Sequence, residues 1–199
     1  MGVASTQILP PLAALPYVEI TAAADIRTDA LAKFRDTYKG ETFTSVEAMC
    51  DSPNVDAVFI ATPNQLHAQH VIAAAERGKH AIVEKPMALA IEECEAMNEA
   101  AERHGVKLLC GHTHSFDPPI RKIRQIVTGG ELGKLCMIHT WNYNEFMYRP
   151  RMKHELATSR GVVLNQGPHH VDIVRPIGGG MGRSVRAMTG IWDRARGYE

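Results

Sequence analysis

The sequence predicts an α/β protein, a parallel sheet layered with helices, followed by the start of an α+β domain. Three observations predict it. Through the first ~100 residues, short apolar runs alternate with helical stretches of about ten residues, the signature of βαβ units. One of these runs, Ala57 to Ala61 (AVFIA), is apolar at every position. A strand buried on both faces of a parallel sheet requires that. After about residue 115 the rhythm changes, and Leu135 to Tyr143 reads as a strand with one exposed face, with Leu135, Met137, His139, Trp141 and Tyr143 on one side. The predicted domains are therefore 1–115 and 116–199.

The elements follow in order. Val18 to Ala24 is a β-rich run that ends in Asp25. Thr28 can cap a helix whose apolar stripe is Leu31, Phe34 and Tyr38. After the AVFIA strand, a helix carries Leu66, Val71, Ile72 and Ala75 inward and stops at Gly78. Ala81 to Glu84 is the next strand. The helix after it presents Ile91, Cys94, Met97 and Ala101 on one face and ends near Gly105. Val106 to Cys110 is a further strand. Pro118 and Pro119 then open a helix with Ile120, Ile123 and Val127 inside, and Gly129-Gly130 stops it. A helix from about Val162 to Ile177 and a strand from Val185 to Trp192 complete the prediction. One or two strands cannot form a stable sheet alone, so the second domain reads as incomplete.

Composition narrows the function. Lys+Arg and Asp+Glu both number 22, so the net charge is zero. A nucleic-acid binder needs a basic excess to displace counterions, and an electrostatic membrane anchor needs one too. Neither partner is expected. The 4 cysteines (50, 94, 110 and 136) contain no C-x-x-C pair. They read as reduced thiols of a cytoplasmic protein, without a zinc site or disulfide framework.

Chemistry is expected at the carboxyl ends of the strands, where open α/β sheets bind ligands. Asp25 ends the first run. An acid there accepts hydrogen bonds from adenosine ribose hydroxyls in dinucleotide-binding folds, or it is only a strand-ending turn residue. Gly2 lies before it at the distance, about 20 residues, expected from a glycine-rich phosphate turn. Thr62 and Asn64 follow the AVFIA strand with short polar side chains, although Asn64 could equally cap the next helix. His67 falls one turn later and could face a cofactor or solvent. Glu84, Lys85 and Pro86 end the following strand, and Pro86 raises the odds of a cis bond. Asn165, His169 and Asp172 share one face of the late helix by their i, i+4, i+7 spacing. His169 can exchange a proton near neutral pH, with Asp172 or Asn165 fixing its tautomer. The histidines at 112, 114, 169 and 170 lack the carboxylate or thiolate of a recognisable metal site, so no metal is expected. Arg149, Arg151 and Lys153 form the densest basic stretch, beside Trp141, Tyr143, Phe146 and Tyr148. They suit an anionic ring-shaped substrate, or they form a solvated loop.

Together these motifs resemble the Gfo/Idh/MocA family of NAD(P)-dependent oxidoreductases. The matching segments are ADIR with Asp25, ATPNQLH with Thr62 and His67, VEKPMAL with Lys85, GHTHSFDP, and NQGPHHVD with His169. Within the family, the YRPR and NQGPHH stretches are most similar to dehydrogenases of phthalate cis-dihydrodiols in aromatic degradation. The resemblance implies a Rossmann-type parallel sheet followed by an α+β domain, with a homo-oligomer for the full-length protein. It places Lys85 near the nicotinamide and the substrate hydroxyl, and makes His169 the acid/base with Asn165 beside it. Asp25 would hold the adenosine ribose, favouring NAD, whereas Arg27 could hold the extra phosphate of NADP. Gly2, Thr62, Asn64, His67 and Glu84 would complete the cofactor site, and Arg149, Arg151 and Lys153 would pair with substrate carboxylates. The sequence departs from the family pattern in three ways. Asn165 stands where the family has an Asp, the glycine run before the histidine helix is reduced to Gly161, and the first strand and the late sheet are missing. The chain is therefore expected to be truncated at both ends. The expected activity is hydride transfer from a secondary alcohol to NAD. A sugar or cyclitol dehydrogenase and a non-catalytic remnant are the alternatives.

Overall fold

The computed structural model describes residues 4–141 and 161–188, without the side chains at 161, 162 and 165. The chain divides into two compact units, Met1–Gly111 and His112–Glu199.

In the first unit a π-helical turn, Ala4–Ile8, leads into the short helix α1, Leu9–Ala13. Five strands follow: β1 Ala22–Ala24, β2 Glu41–Phe43, β3 Ala57–Ile60, β4 His80–Val83 and β5 Leu108–Cys110. Helices α2 (Thr28–Tyr38), α3 (Val46–Cys50), α4 (His67–Glu76) and α5 (Ile91–Arg103) alternate with them. Every strand pair is parallel. The strands form two sheets, β1-β2 and β3-β4-β5. Placed side by side these reproduce the 3-2-1-4-5-6 order of a doubly wound fold, with no strand of the described residues in the central position. The fold is α/β and Rossmann-type, as the alternation of runs predicts.

The two sheets share one core. Val58, Ile60, Ala81 and Val83 point from β3 and β4 into a cluster with Cys50, Val55, Val71, Ala74 and Met97. Ala22, Val46 and Met49 pack against it from the β1 side. Phe34 of α2 is 1% exposed and packs against Tyr38, with ring centroids 5.2 Å apart and planes tilted by 36°. This helix buries Ala30, Leu31 and Phe34, close to the predicted stripe.

Several details differ from the sequence reading. The first strand begins at Ala22, not Val18, because its partner β2 is only 3 residues long. Thr28 is the first helical residue and not the cap; Arg27 holds that position without a side-chain bond. Ile91 is 72% exposed, because it opens α5 before the helix has met the core. The amides of Leu89 and Ala90 there donate to Glu93 Oε2 at 3.0 and 3.1 Å. Burial on both faces of the sheet is also not realised. Phe59, Ile82 and Leu109 are in register across β3, β4 and β5 and form an apolar row, and Leu109 is 60% exposed. The helices α4 and α5 cover the opposite face, to which Val58, Ile60, Ala81 and Val83 turn.

The second unit has a 3-10 turn at His114–Phe116, helix α6 at Pro118–Gly129 and helix α7 at Gly161–Gly178. Pro118 and Pro119 start α6, and Gly130 ends it in the left-handed conformation. Among the described residues none of α6 is fully buried: of the predicted inward stripe, Ile120 and Val127 are half-buried and Ile123 is 44% exposed. Residues 135–141 are not a strand, contrary to the alternation reading; Tyr143 lies outside the described residues. Alternating side chains make a strand only where another strand supplies hydrogen bonds, and the described residues of this unit supply none. Residues 185–188 are likewise without regular structure, and the remainder of the predicted Val185 to Trp192 strand lies outside the described residues.

Candidate active site

Because the strands are parallel, their carboxyl ends gather the turns that carry Asp25, Thr62 and Lys85. Asp25 follows β1 directly, and its amide donates to Phe43 O at 3.2 Å. Its side chain is 9% exposed. The backbone amide of Arg27 donates to Oδ1 at 2.9 Å, its Nε to Oδ1 at 3.3 Å and its Nη2 to Oδ2 at 3.4 Å. Burial alone would raise the Asp25 pKa. The donors around the carboxylate, those of Arg27 among them, outweigh burial and hold it at about 2. The carboxylate is thus charged at neutral pH, as an acceptor for ribose hydroxyls must be. Its pull in turn raises the Arg27 guanidinium further.

After β3, residues Asn64–Leu66 form a 3-10 turn that runs into α4. No side chain caps either element, so Asn64 is not serving as a helix cap. Thr62 is gripped twice. Its Oγ1 lies 3.0 Å from His70 Nδ1, and its carbonyl oxygen 2.9 Å from His67 Nε2. His67 Nδ1 lies 2.9 Å from Pro86 O. His67 is 0% exposed, so it faces neither solvent nor an open cofactor cleft. Both ring nitrogens lie within hydrogen-bond distance of main-chain carbonyls. His70 was not singled out by the sequence; burial pushes its pKa down.

After β4, Glu84 and Lys85 are half-buried and Pro86 is buried. The Lys85–Pro86 peptide is cis. Glu84 Oε2 accepts the Lys85 amide at 3.1 Å, which turns the acid back onto its own backbone. The Gly111 amide donates to Val83 O at 2.7 Å and fastens the end of β5 beside this turn.

In the second unit Asn165, His169 and Asp172 do lie on one helix, α7. Asp172 Oδ2 accepts the Ser115 amide at 2.8 Å and anchors the 3-10 turn to the helix. That turn brings His114 against His169, with ring centroids 4.2 Å apart and planes tilted by 58°. His114 is the neighbour that sequence spacing did not reveal, since 55 or so positions of chain separate the two rings and only the turn-to-helix packing unites them. His170 is directed elsewhere, its Nδ1 2.9 Å from Thr140 Oγ1. A groove of about 1030 Å³ beside these residues is lined by Arg121, Arg124 and Arg175 together with Val163 and Val171. Gly2, Arg149, Arg151 and Lys153 lie outside the described residues. Among the described residues no group of His, Cys, Asp or Glu could hold a metal ion, and no helix is long and apolar enough to cross a membrane.

The first unit's donor set fits a dinucleotide. A charged carboxylate follows β1, a threonine and main-chain groups follow β3, and a lysine follows β4. The fold is that of a dinucleotide-binding domain of Rossmann type. The profile of an oxidoreductase family with an NAD-binding Rossmann fold matches residues 1–112, and that of the GFO/IDH/MocA C-terminal domain matches residues 120–199. The chain belongs to the Gfo/Idh/MocA family, whose first domain is described as an NAD-binding Rossmann fold. It is 39% identical, over 100% of its own length and 51% of the relative's, to a 1-carboxy-3-chloro-3,4-dihydroxycyclohexa-1,5-diene dehydrogenase of Comamonas testosteroni. It is 29% identical to an NADP-dependent scyllo-inositol 2-dehydrogenase of Bacillus subtilis, covering 82% of this chain and 45% of that one. A crystal structure from Bordetella bronchiseptica RB50 with a dehydrogenase designation superposes with a TM-score of 0.91 at 40% identity, covering 98% of this chain and 51% of that one. The chain thus spans about half the length of the relatives it matches.

Proposed function

We propose that the protein is an NAD-dependent dehydrogenase of a carboxylated cyclic cis-diol, of the kind that dihydroxylation of phthalate yields. The observation that carries the dinucleotide part is Asp25, held as a carboxylate at the end of β1 and locked to Arg27. A carboxylate there repels the additional phosphate of NADP, and the guanidinium that could attract it is already engaged, so NAD is favoured. The substrate part is supported by the full-length match to the Comamonas dehydrogenase, whose name describes a carboxylated dihydroxycyclohexadiene. The basic residues Arg149, Arg151 and Lys153 suit ring carboxylates by bidentate pairing.

When bound, the nicotinamide of NAD supplies the hydride acceptor. His169 takes the proton of the hydroxyl, and Asn165, which cannot share a base role, only orients by hydrogen bonding. Lys85 stabilises the alkoxide that develops as that proton leaves, before the carbinol C–H bond gives up its hydride and the oxygen becomes a carbonyl. The ketone so formed tautomerises to a catechol, and regained aromaticity draws the reaction forward. A cyclitol dehydrogenase is the second reading, supported by the Bacillus relative. The test is the absorbance of reduced nicotinamide on adding a phthalate cis-dihydrodiol or scyllo-inositol, with NADH and NADPH titrations alongside. Dihydrodiol turnover with Lys85→Met inactive is expected. Turnover of the cyclitol alone would replace the substrate, and failure to bind either dinucleotide would leave a non-catalytic remnant.

A further inference from the structure

We propose that His67 is a positioning residue that sets the spacing between the turn after β3 and the turn after β4. Its ring is 0% exposed and lies between the two turns, with Nε2 2.9 Å from Thr62 O and Nδ1 2.9 Å from Pro86 O. Carbonyl oxygens only accept, so the ring donates to one of them when neutral and to both when it carries two protons. The neutral ring therefore bonds one carbonyl and packs against the other, and the doubly protonated ring bonds both. Both are short main-chain contacts in a buried place, where a lost donor leaves an acceptor unsatisfied.

The two turns are the ones that carry Thr62 and Lys85. Neither is tied by a strand bond at this level: β3 and β4 end their register at Ile60↔Val83, before either turn begins. The last ladder contact is Glu84 N to Ile60 O at 2.9 Å. Beyond it the strand ends would splay, and the histidine supplies a cross-link that the sheet no longer can. His67 is well placed for this because it is the first residue of α4, whose later turns are anchored by Val71, Ala74 and Ala75 in the core. His70, one turn on, holds the Thr62 hydroxyl from the other side, with Nδ1 3.0 Å from Oγ1. Thr62 is thus fixed at its main chain by one histidine and at its side chain by another. Lys85, adjacent to Pro86, inherits its backbone position from the same ring.

The effect on dinucleotide affinity rests on the function proposed above; the bonded ring does not. Two measurements keep them apart. In the protein without dinucleotide, nitrogen-15 NMR of the imidazole is expected to show a ring N–H of His67 protected from solvent exchange. A ring whose protons all exchange freely would overturn the inference whatever the protein binds. In the second, His67→Phe keeps a ring of similar volume and removes every ring donor. It is expected to weaken NADH binding about tenfold or more, as expected when buried acceptors lose their donor. His67→Gln, which restores one donor, is expected to recover part of that loss. Met97→Ala, a core change remote from the turns, is expected to lower the melting temperature while leaving NADH affinity within about twofold. Equal loss of affinity in His67→Phe and Met97→Ala would reduce His67 to a packing residue and refute the proposal. Failure of wild type to bind NADH would count against the dinucleotide reading alone.

Discussion

Replacing Gly40 by Ala tests how β1 and β2 are held together. A Cβ built on Gly40 would lie 2.5 Å from Thr21 O and 2.9 Å from Phe34 Cε1. An ordinary C···O approach is about 3.3 Å, so the backbone must open by roughly 0.8 Å. Neither neighbour can yield cheaply. The Thr21 carbonyl accepts the Glu41 amide at 2.8 Å, just before the β1–β2 ladder, and Phe34 is 1% exposed in the core. Overpacking of this kind costs about 1–3 kcal/mol. Losing the Thr21–Glu41 bond adds about 1 kcal/mol. The sum, about 2–4 kcal/mol, corresponds to a fall in melting temperature of roughly 4–16 °C for a chain of this size. Calorimetry measures it directly. Gly78→Ala is the comparison, because its φ is +70° but a Cβ there has nothing within 4 Å, so only backbone strain operates. If Gly40→Ala melts within about 1 °C of wild type, the close approach of the two backbones is not what fixes this sheet, and the argument from packing fails. Asp25 continues β1 directly, so NADH affinity should fall along with stability in this variant.

Two further outcomes follow from the site. Asp25→Ala removes the ribose acceptor and releases the Arg27 guanidinium. NADH affinity should drop about tenfold to a hundredfold, the range for a lost charged hydrogen bond, while NADPH binding strengthens; fluorescence titration of both dinucleotides would show it, and parallel losses would refute the pairing argument. His70, whose pKa burial depresses below its ordinary 6.5, binds fewer protons in the folded chain than in the unfolded one. Stability should therefore fall as pH drops below 6.5 and level off once the pH passes beneath the folded value. Denaturant midpoints across that window should flatten in His70→Asn, and an unchanged slope would remove His70 as the cause.

The sequence by itself determined the layer order. Apolar runs such as Ala57 to Ala61 and the run that opens at Ala81 alternate with amphipathic stretches such as that carrying Ile91, Cys94, Met97 and Ala101, and local periodicity suffices to define both. It also placed Asp25, Thr62 and Lys85 at strand ends, because parallel strands joined by helices must all finish on the same edge. The short strand Glu41–Phe43 and helix Val46–Cys50 escaped the reading, since neither is long enough to show a period. Only the tertiary structure decided what each polar group does. Whether a histidine at the start of a helix meets water, cofactor or main chain depends on which turn lies opposite, and that turn is 19 residues away in the sequence for His67 and Pro86. His114 meets His169 for the same kind of reason. Sequence periodicity encodes the face a residue occupies, but a contact between two elements is fixed by how their buried faces pack, which no local pattern contains.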